Sequence, residues 1–214
     1  MGSGEMLRQI YQRLYDHFGP QHWWPGETPF EVLVGAILTQ NANWQNVEKA
    51  IANLRDAGVL DLEKMSELPP DLLAGYIRPS GYYNIKAGRL RNLLAHINQA
   101  HGGDLDAFLG QDAAVLREEL LSIRGIGPET ADSMILYAAQ KPVFVVDAYT
   151  HRILSRHDLI PEDYGYQEIQ ELFTDNLAED VVLFNEYHAL LVRTGKEYCR
   201  KSAPRCDRCP LRGL

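Results

Sequence analysis

The stretch from Leu120 to Leu136, "LLSIRGIGPETADSMIL", constrains the fold of this chain more than any other. An amphipathic run stops at Arg124. Gly125-Ile126-Gly127 then makes a tight turn, and Pro128 stands where proline suits the first turn of a second helix. The reading is a pair of helices joined by a short glycine turn. Such a turn lets backbone N–H groups face outward where a helix N-terminus adds partial positive charge. That combination binds a phosphate without any lysine. A plain helical hairpin is the alternative, and the turn alone does not choose between the two.

The rest of the chain carries the same helical period. "MLRQIYQRLYDHF" puts Leu7, Ile10, Leu14 and Phe18 on one stripe. "PFEVLVGAILTQ" is apolar nearly all round and reads as a buried central helix. "NVEKAIANLRDAG" turns Val47, Ile51 and Leu54 to one side. Further helices fit "PPDLLAGYI", "YNIKAGRLRNLLAHINQAHGG", "DAAVLREELLSI", "AYTHRILSRH", "YQEIQELFTDNL" and "VLFNEYHALLVRTG". No sustained alternating run appears, and "KPVFVVD" is the best strand candidate, short and isolated. The fold class is therefore all-α, built from many short helices.

Composition bounds the function classes. The 214 residues suffice for one large domain or two small ones. No apolar run reaches the ~20 residues that span a bilayer, and no basic-then-apolar leader opens the chain. A cytoplasmic protein without a membrane partner is expected, nucleoid-associated if the source is prokaryotic. The net charge of −8 argues mildly against a polyanion partner. The charge is segregated, however. From Val192 to Leu214, Arg193, Lys196, Arg200, Lys201, Arg205, Arg208 and Arg212 face only Glu197 and Asp207, so this tail is basic by five.

One carboxylate is out of place. Asp147 follows Val143-Phe144-Val145-Val146 and precedes the helix "AYTHRIL". It reads either as a helix N-cap or as a catalytic acid held by capping, and the two are compatible. Coming one helix after the Gly-Ile-Gly turn, it makes the combination far more specific than either part.

These segments resemble the helix-hairpin-helix DNA glycosylases of the endonuclease III superfamily. "LLSIRGIGPETAD" is similar to their hairpin, "VVDAYTHRI" to the segment with their catalytic aspartate, and "VLVGAILTQNANWQNV" to their glutamine-bearing helix end. The resemblance covers about Phe30 to Cys209. It implies two helical lobes with the active-site cleft between them. Residues 28–135 would form a six-helix lobe with the hairpin at about 115–138, residues 1–27 plus 136–198 the second lobe, and 199–214 a cysteine-rich loop. By this resemblance Asp147 is the catalytic carboxylate, stabilising positive charge on the sugar or activating water. Gln40 would enter the gap left by a flipped nucleotide. Gly125, Gly127 and Thr130 would contact DNA with it.

Within the superfamily, "WWP", "GAILTQN", Trp44, "RPSGYYNIKAGRL" and "TGK" most resemble the endonuclease III-type 3-methyladenine DNA glycosylases. Trp24, Pro25 and Trp44 would then line the base pocket, with Glu129 near it. Aromatic walls hold an extruded base by stacking. Lys196 matches a lysine near the catalytic aspartate that is carbamylated in one such enzyme. Lyase-competent relatives carry a lysine two residues after the second hairpin glycine, where this chain has Glu129, so no Schiff base can form there. The expectation is a monofunctional glycosylase, a monomer acting on double-stranded DNA with a damaged base, chiefly an alkylated purine such as 3-methyladenine. The alternatives are a mismatch thymine or uracil or oxidised-base glycosylase, and a non-catalytic DNA-binding module.

The three cysteines read Cys199-x6-Cys206-x2-Cys209. This is the start of the family's C-x6-C-x2-C-x5-C pattern for a [4Fe-4S] cluster, whose fourth ligand would fall at position 215. Cluster ligation normally takes four thiolates. Zinc, for which "CDRC" is a familiar pair, or no metal, are the alternatives. A filled loop would carry Arg200, Lys201, Arg205 and Arg208 to the phosphates.

Overall fold

The computed structural model describes residues 2–23 and 26–214. Twelve helices follow one another among them: α1 (Ser3–Phe18), α2 (Pro29–Leu38), α3 (Trp44–Asp56), α4 (Leu62–Glu67), α5 (Pro70–Tyr76), α6 (Tyr83–His101), α7 (Leu105–Gly110), α8 (Ala113–Ser122), α9 (Pro128–Ser133), α10 (Ala148–Arg156), α11 (Tyr166–Thr174) and α12 (Val181–Glu197). Short 3-10 turns at Arg78–Ser80 and Cys206–Arg208 complete the regular structure, and α9 runs on as a π-helical turn over Met134–Ala138. No strand occurs among the described residues, and no described helix is long and apolar enough to cross a membrane. The chain divides into two compact units, Trp24–Lys141 and Met1–Trp23 with Pro142–Leu214.

The first unit is built around α2. Thr28 caps its start by accepting from the Glu31 amide, with Pro29 in the first turn. Phe30, Val32, Leu33, Val34, Ile37 and Leu38 are all buried, so the all-round apolar pattern does mark a central helix. Its C-terminal end is held by an unusual group. Lys86 on α6 is buried, and its ammonium donates to Leu38 O and Ser80 O at 2.7 Å each. These carbonyls satisfy the buried charge and tie α2 to the Arg78–Ser80 turn. The same burial pulls the Lys86 pKa below its ordinary value, with Arg89 acting in the same direction. The motif "RPSGYYNIKAGRL" is thus a structural clamp placed just before Gln40.

The second unit packs α1, α10, α11 and α12 together. Leu7, Ile10 and Leu14 are fully buried, while Phe18 is half-buried under the Arg193 guanidinium, 4.5 Å from its ring centre. Phe144, Phe173, Phe184 and Tyr187 form an aromatic core, with Phe144 and Phe173 stacked at 3.8 Å. Phe144 belongs to "KPVFVVD", and here the strand expectation fails. The segment is extended but pairs with no strand among the described residues. Gln170 donates to Phe144 O at 2.7 Å, and the Val146 amide donates to the Tyr166 hydroxyl at 3.4 Å. Side chains of α11 thus satisfy the buried backbone that a sheet would otherwise satisfy.

Candidate active site and nucleic-acid-binding hairpin

Asp147 is the N-cap of α10, and its two oxygens differ. Oδ1 accepts from the Tyr149 amide at 2.9 Å, the Thr150 amide at 2.7 Å and the Thr150 hydroxyl at 3.0 Å. Oδ2 is turned instead toward His188 of α12, whose Nε2 lies 3.6 Å away. One oxygen therefore fixes the carboxylate, and the other lies outside that cap. Burial pushes the carboxyl pKa up, but His188 and the Thr150 donors outweigh it and hold it below the ordinary 3.8. The group is thus an ionised carboxylate near neutral pH despite being largely buried.

The depressed pKa has a direct consequence. The stability that Asp147 contributes through its ionised form is present above 3.8 and is lost as pH falls through the lower folded-state value. Replacing His188 by Leu leaves burial opposed only by the Thr150 donors, so the carboxyl pKa rises. The acid limb of the pH–rate profile for Asp147-dependent chemistry should move to higher pH in His188→Leu. An unmoved limb in a folded variant would show that His188 does not tune this group.

Two further residues shape this site, and neither was singled out from sequence as a site residue. Trp23 stacks on His188, ring centres 5.4 Å apart and 26° from parallel. Gly195, seven residues after His188 on the same face of α12, faces Tyr149. A Cβ there would meet Tyr149 Cδ1 in a severe clash and lie 2.8 Å from Cγ and 2.9 Å from Cβ. Glycine at 195 is what lets α12 approach the start of α10. Lys196 beside it is exposed at the end of α12, and no hydrogen bond or ion pair among the described residues joins it to Asp147.

The hairpin lies in the other unit, between α8 and α9. Gly125 has φ +101°, and a Cβ at this position would collide with Arg89 Cγ. Gly127 is the N-cap of α9 in an extended conformation with open space around its Cα, so only the first glycine is sterically required. No side chain caps α9. The Ile126 amide closes the turn onto Ile123 O at 3.0 Å. The helices are locked by Arg117, which donates twice to the fully buried Asp132 at 2.7 and 3.2 Å.

Gln40 is brought onto this hairpin. Its Nε2 donates to Gly125 O at 3.1 Å and Thr130 Oγ1 at 3.0 Å, and Arg89 Nη1 donates to its Oε1. Gln40, Gly125 and Thr130, proposed separately from sequence, thus form one cluster, with Arg89 as the member that sequence did not suggest. Insertion of Gln40 into DNA would first break these three hydrogen bonds. Glu129 is exposed one residue before Thr130.

Trp44 begins α3 and donates from Nε1 to Glu48 Oε1 at 2.8 Å. It walls an open cleft of about 360 Å³ with Glu27, Glu31, Glu48 and Arg55. Arg55 pairs with Glu31 at 2.9 Å and Glu27 at 3.3 Å, leaving this lining anionic. Trp24 and Pro25, the other expected pocket residues, lie outside the described residues.

The cysteine loop follows α12 and is tied to α10. Arg152 Nε donates to Cys199 O at 2.7 Å, Arg156 Nη1 to Arg200 O at 2.6 Å and Nη2 to Lys201 O at 3.2 Å. Arg156 Nη1 also lies 3.6 Å from Cys199 Sγ. All three thiols are free, Cys199 buried, Cys206 exposed and Cys209 half-buried. Burial pushes the Cys209 pKa up, and Cys199 and Cys206 act in the same direction. The three sulfurs are not gathered within the 4.8 Å that one metal's ligands occupy, whereas sulfurs on a single zinc lie ~3.8 Å apart. The 214 residues contain no fourth cysteine. Arg200, Lys201, Arg205 and Arg208 are all exposed on this loop.

The described residues thus hold a helical hairpin with no side-chain cap on its second helix, and a largely buried, ionised aspartate at another helix start. Residues 34–179 match the HhH-GPD superfamily of base excision DNA repair proteins. The chain is 49% identical to a Methanocaldococcus jannaschii protein whose name assigns it to the DNA repair glycosylases, over 97% of this chain and 94% of that one. It is also similar to a 3-methyladenine DNA glycosylase of H. pylori solved with 1,N6-ethenoadenine. There the identity is 31% and the TM-score 0.77, covering 92% of this chain and 98% of the other. A trapped endonuclease III–DNA covalent intermediate shares the fold, with TM-score 0.83 at 21% identity over 99% and 94% of the two chains. The chain belongs to the HhH-GPD superfamily, and its all-α fold is that of the DNA glycosylases of base excision repair.

Proposed function

We propose that the protein is a monofunctional glycosylase that hydrolyses the N-glycosidic bond of alkylated purines in double-stranded DNA, chiefly 3-methyladenine. The observation that carries this reading is the division of labour at Asp147, with Oδ1 held by three donors and Oδ2 turned away from them. A 3-methyladenine nucleotide carries positive charge, so its glycosidic bond breaks with the electron pair going to a base that needs no proton. Positive charge then builds on the sugar. The Asp147 carboxylate stabilises it and takes a proton from the water whose oxygen bonds to the sugar carbon.

Two observations support the substrate, and a third the nucleophile. Trp44 offers an aromatic face in a cleft whose Glu27, Glu31 and Glu48 suit a cation. The H. pylori similarity joins the chain to a glycosylase of that specificity. Glu129 stands where a lyase would place its amine, which speaks for water as the nucleophile. The hairpin and the exposed basic loop take backbone phosphates through Gly125, Gly127 and Thr130, and through Arg200 and Lys201. Cys199, Cys206 and Cys209 would hold three corners of a [4Fe-4S] cluster, whose contribution when bound would be to cross-link that loop.

Excision from duplexes carrying single lesions tests the reading. 3-Methyladenine should be released far faster than uracil or thymine opposite guanine or an oxidised purine. Preferential release of a neutral base would transfer the assignment to the mismatch or oxidised-base glycosylases. Binding with no release of any base would leave a DNA-binding module.

A further inference from the structure

Away from the aspartate, the hairpin and the cysteines, one group of side chains has no part in the function proposed above. We propose that His96, His101 and Glu119 form a binding site for a transition-metal dication, with zinc the best fit. His96 and His101 come from the C-terminal half of α6 and Glu119 from α8. Both imidazoles reach the same carboxylate oxygen, His96 Nε2 at 2.5 Å and His101 Nε2 at 2.6 Å from Glu119 Oε1. One ligand atom from each of the three lies within 4.8 Å of the other two, and among the described residues no other such trio of donors does.

The groups around the trio hold it in shape. Gln111 Nε2 donates to Glu119 Oε2 at 2.5 Å and to Phe108 O at 3.1 Å, orienting the carboxylate. Phe108 is fully buried and packs edge-on against both rings, with centres 6.3 Å from His96 and 5.2 Å from His101. Such outer partners fix the aim of metal ligands. The imidazole and carboxylate side chains keep 16–26% of their surface exposed, so an ion can enter and a solvent molecule can complete its coordination.

The chemistry is that of a borderline cation. Two imidazole nitrogens and one carboxylate oxygen are a zinc-type donor set with a fourth position open. With bonds of ~2.0–2.1 Å, tetrahedral ligand atoms stand ~3.3 Å apart, so each N···O contact opens by about 0.8 Å when the ion enters. The imidazoles then ligate through Nε2 lone pairs and carry their protons on Nδ1. A filled site would join α6, which supplies Lys86 and Arg89, to α8, which leads into the hairpin. Its role is to brace the hairpin rather than to do chemistry.

Titration of the full-length protein with Co2+ and then Zn2+ tests this. One Co2+ should bind with weak visible d–d bands in the difference spectrum and no thiolate charge-transfer band, and Zn2+ should displace it. Zn2+ should raise the thermal unfolding midpoint. His101→Gln and His96→Gln should each weaken Zn2+ binding by more than about 100-fold, beyond the loss expected for an outer partner, while His17→Gln, at an exposed histidine outside the trio, leaves it unchanged. Bound cobalt showing only thiolate charge transfer would overturn the site, as would wild-type Zn2+ affinity in both histidine variants. If either variant fails to fold, the wild-type cobalt spectrum still decides.

Discussion

Asp147→Asn should fold and bind DNA like the parent protein and excise base at least about 10³-fold more slowly, within the range for lost acid–base and electrostatic catalysis. The substitution separates the two roles of this residue. Asparagine caps helices as well as aspartate does, and its amide oxygen can still accept from the Tyr149 and Thr150 donors. What disappears is the negative charge at Oδ2. Stability should therefore change by no more than ~1 kcal/mol, and DNA affinity by less than about tenfold, or ~1.4 kcal/mol. Single-turnover excision and thermal unfolding measured on the same preparation check both halves. Activity near that of the parent protein would reduce Asp147 to a helix cap.

Gly195→Ala should be almost as damaging, for a reason that no polar contact reveals. The added methyl group enters the Tyr149 ring, and even Tyr149 Cβ would lie 2.9 Å from it. Because the clash reaches the root of that side chain, rotating the ring does not relieve it. α10 must shift, and the Tyr149 and Thr150 amides that hold Oδ1 shift with it. Overpacking of this kind costs about 1–3 kcal/mol, and a displacement of ~1 Å near reacting groups costs on the order of 10² in rate. A lowered unfolding midpoint with a larger fractional loss of kcat than of DNA affinity is the expected pattern. A variant as stable and active as the parent would show that α10 and α12 do not need this close approach. Gly75→Ala, at an exposed helical glycine with open space around its Cα, is the matched control.

These two positions differ in how openly the sequence announced them. Asp147 was legible because a carboxylate after four apolar residues has few reasons to be there. Gly195 lay inside "TGK", a motif that drew notice to its lysine, since the meaning of the glycine depends on a tyrosine 46 positions earlier in the chain. His188 was hidden in the same way: it sits on an apolar helix, and only folding brings it opposite Oδ2. Most helices were legible from their period, but the six-residue α4 and α7 were not, since fewer than two turns show no period. The "KPVFVVD" segment was not, because a run of four apolar residues looks alike whether a neighbouring strand or the side chains of Gln170 and Tyr166 receive its backbone. Gln40, Gly125 and Thr130 could each be picked out singly, but their joining, and the part of Arg89, required the packing of α6.

The central claim is that this protein releases an alkylated base using water. A duplex with one 3-methyladenine, incubated with excess protein and sampled in a single turnover, measures it most directly. Free base and strand breaks are counted separately, before and after alkali, with a parallel sample reduced by borohydride. The account predicts stoichiometric release of the base, strands intact until alkali is added, and no covalent protein–DNA adduct. Strand breaks without alkali together with a borohydride-trapped adduct would contradict it, and Lys196 would be the first amine to replace.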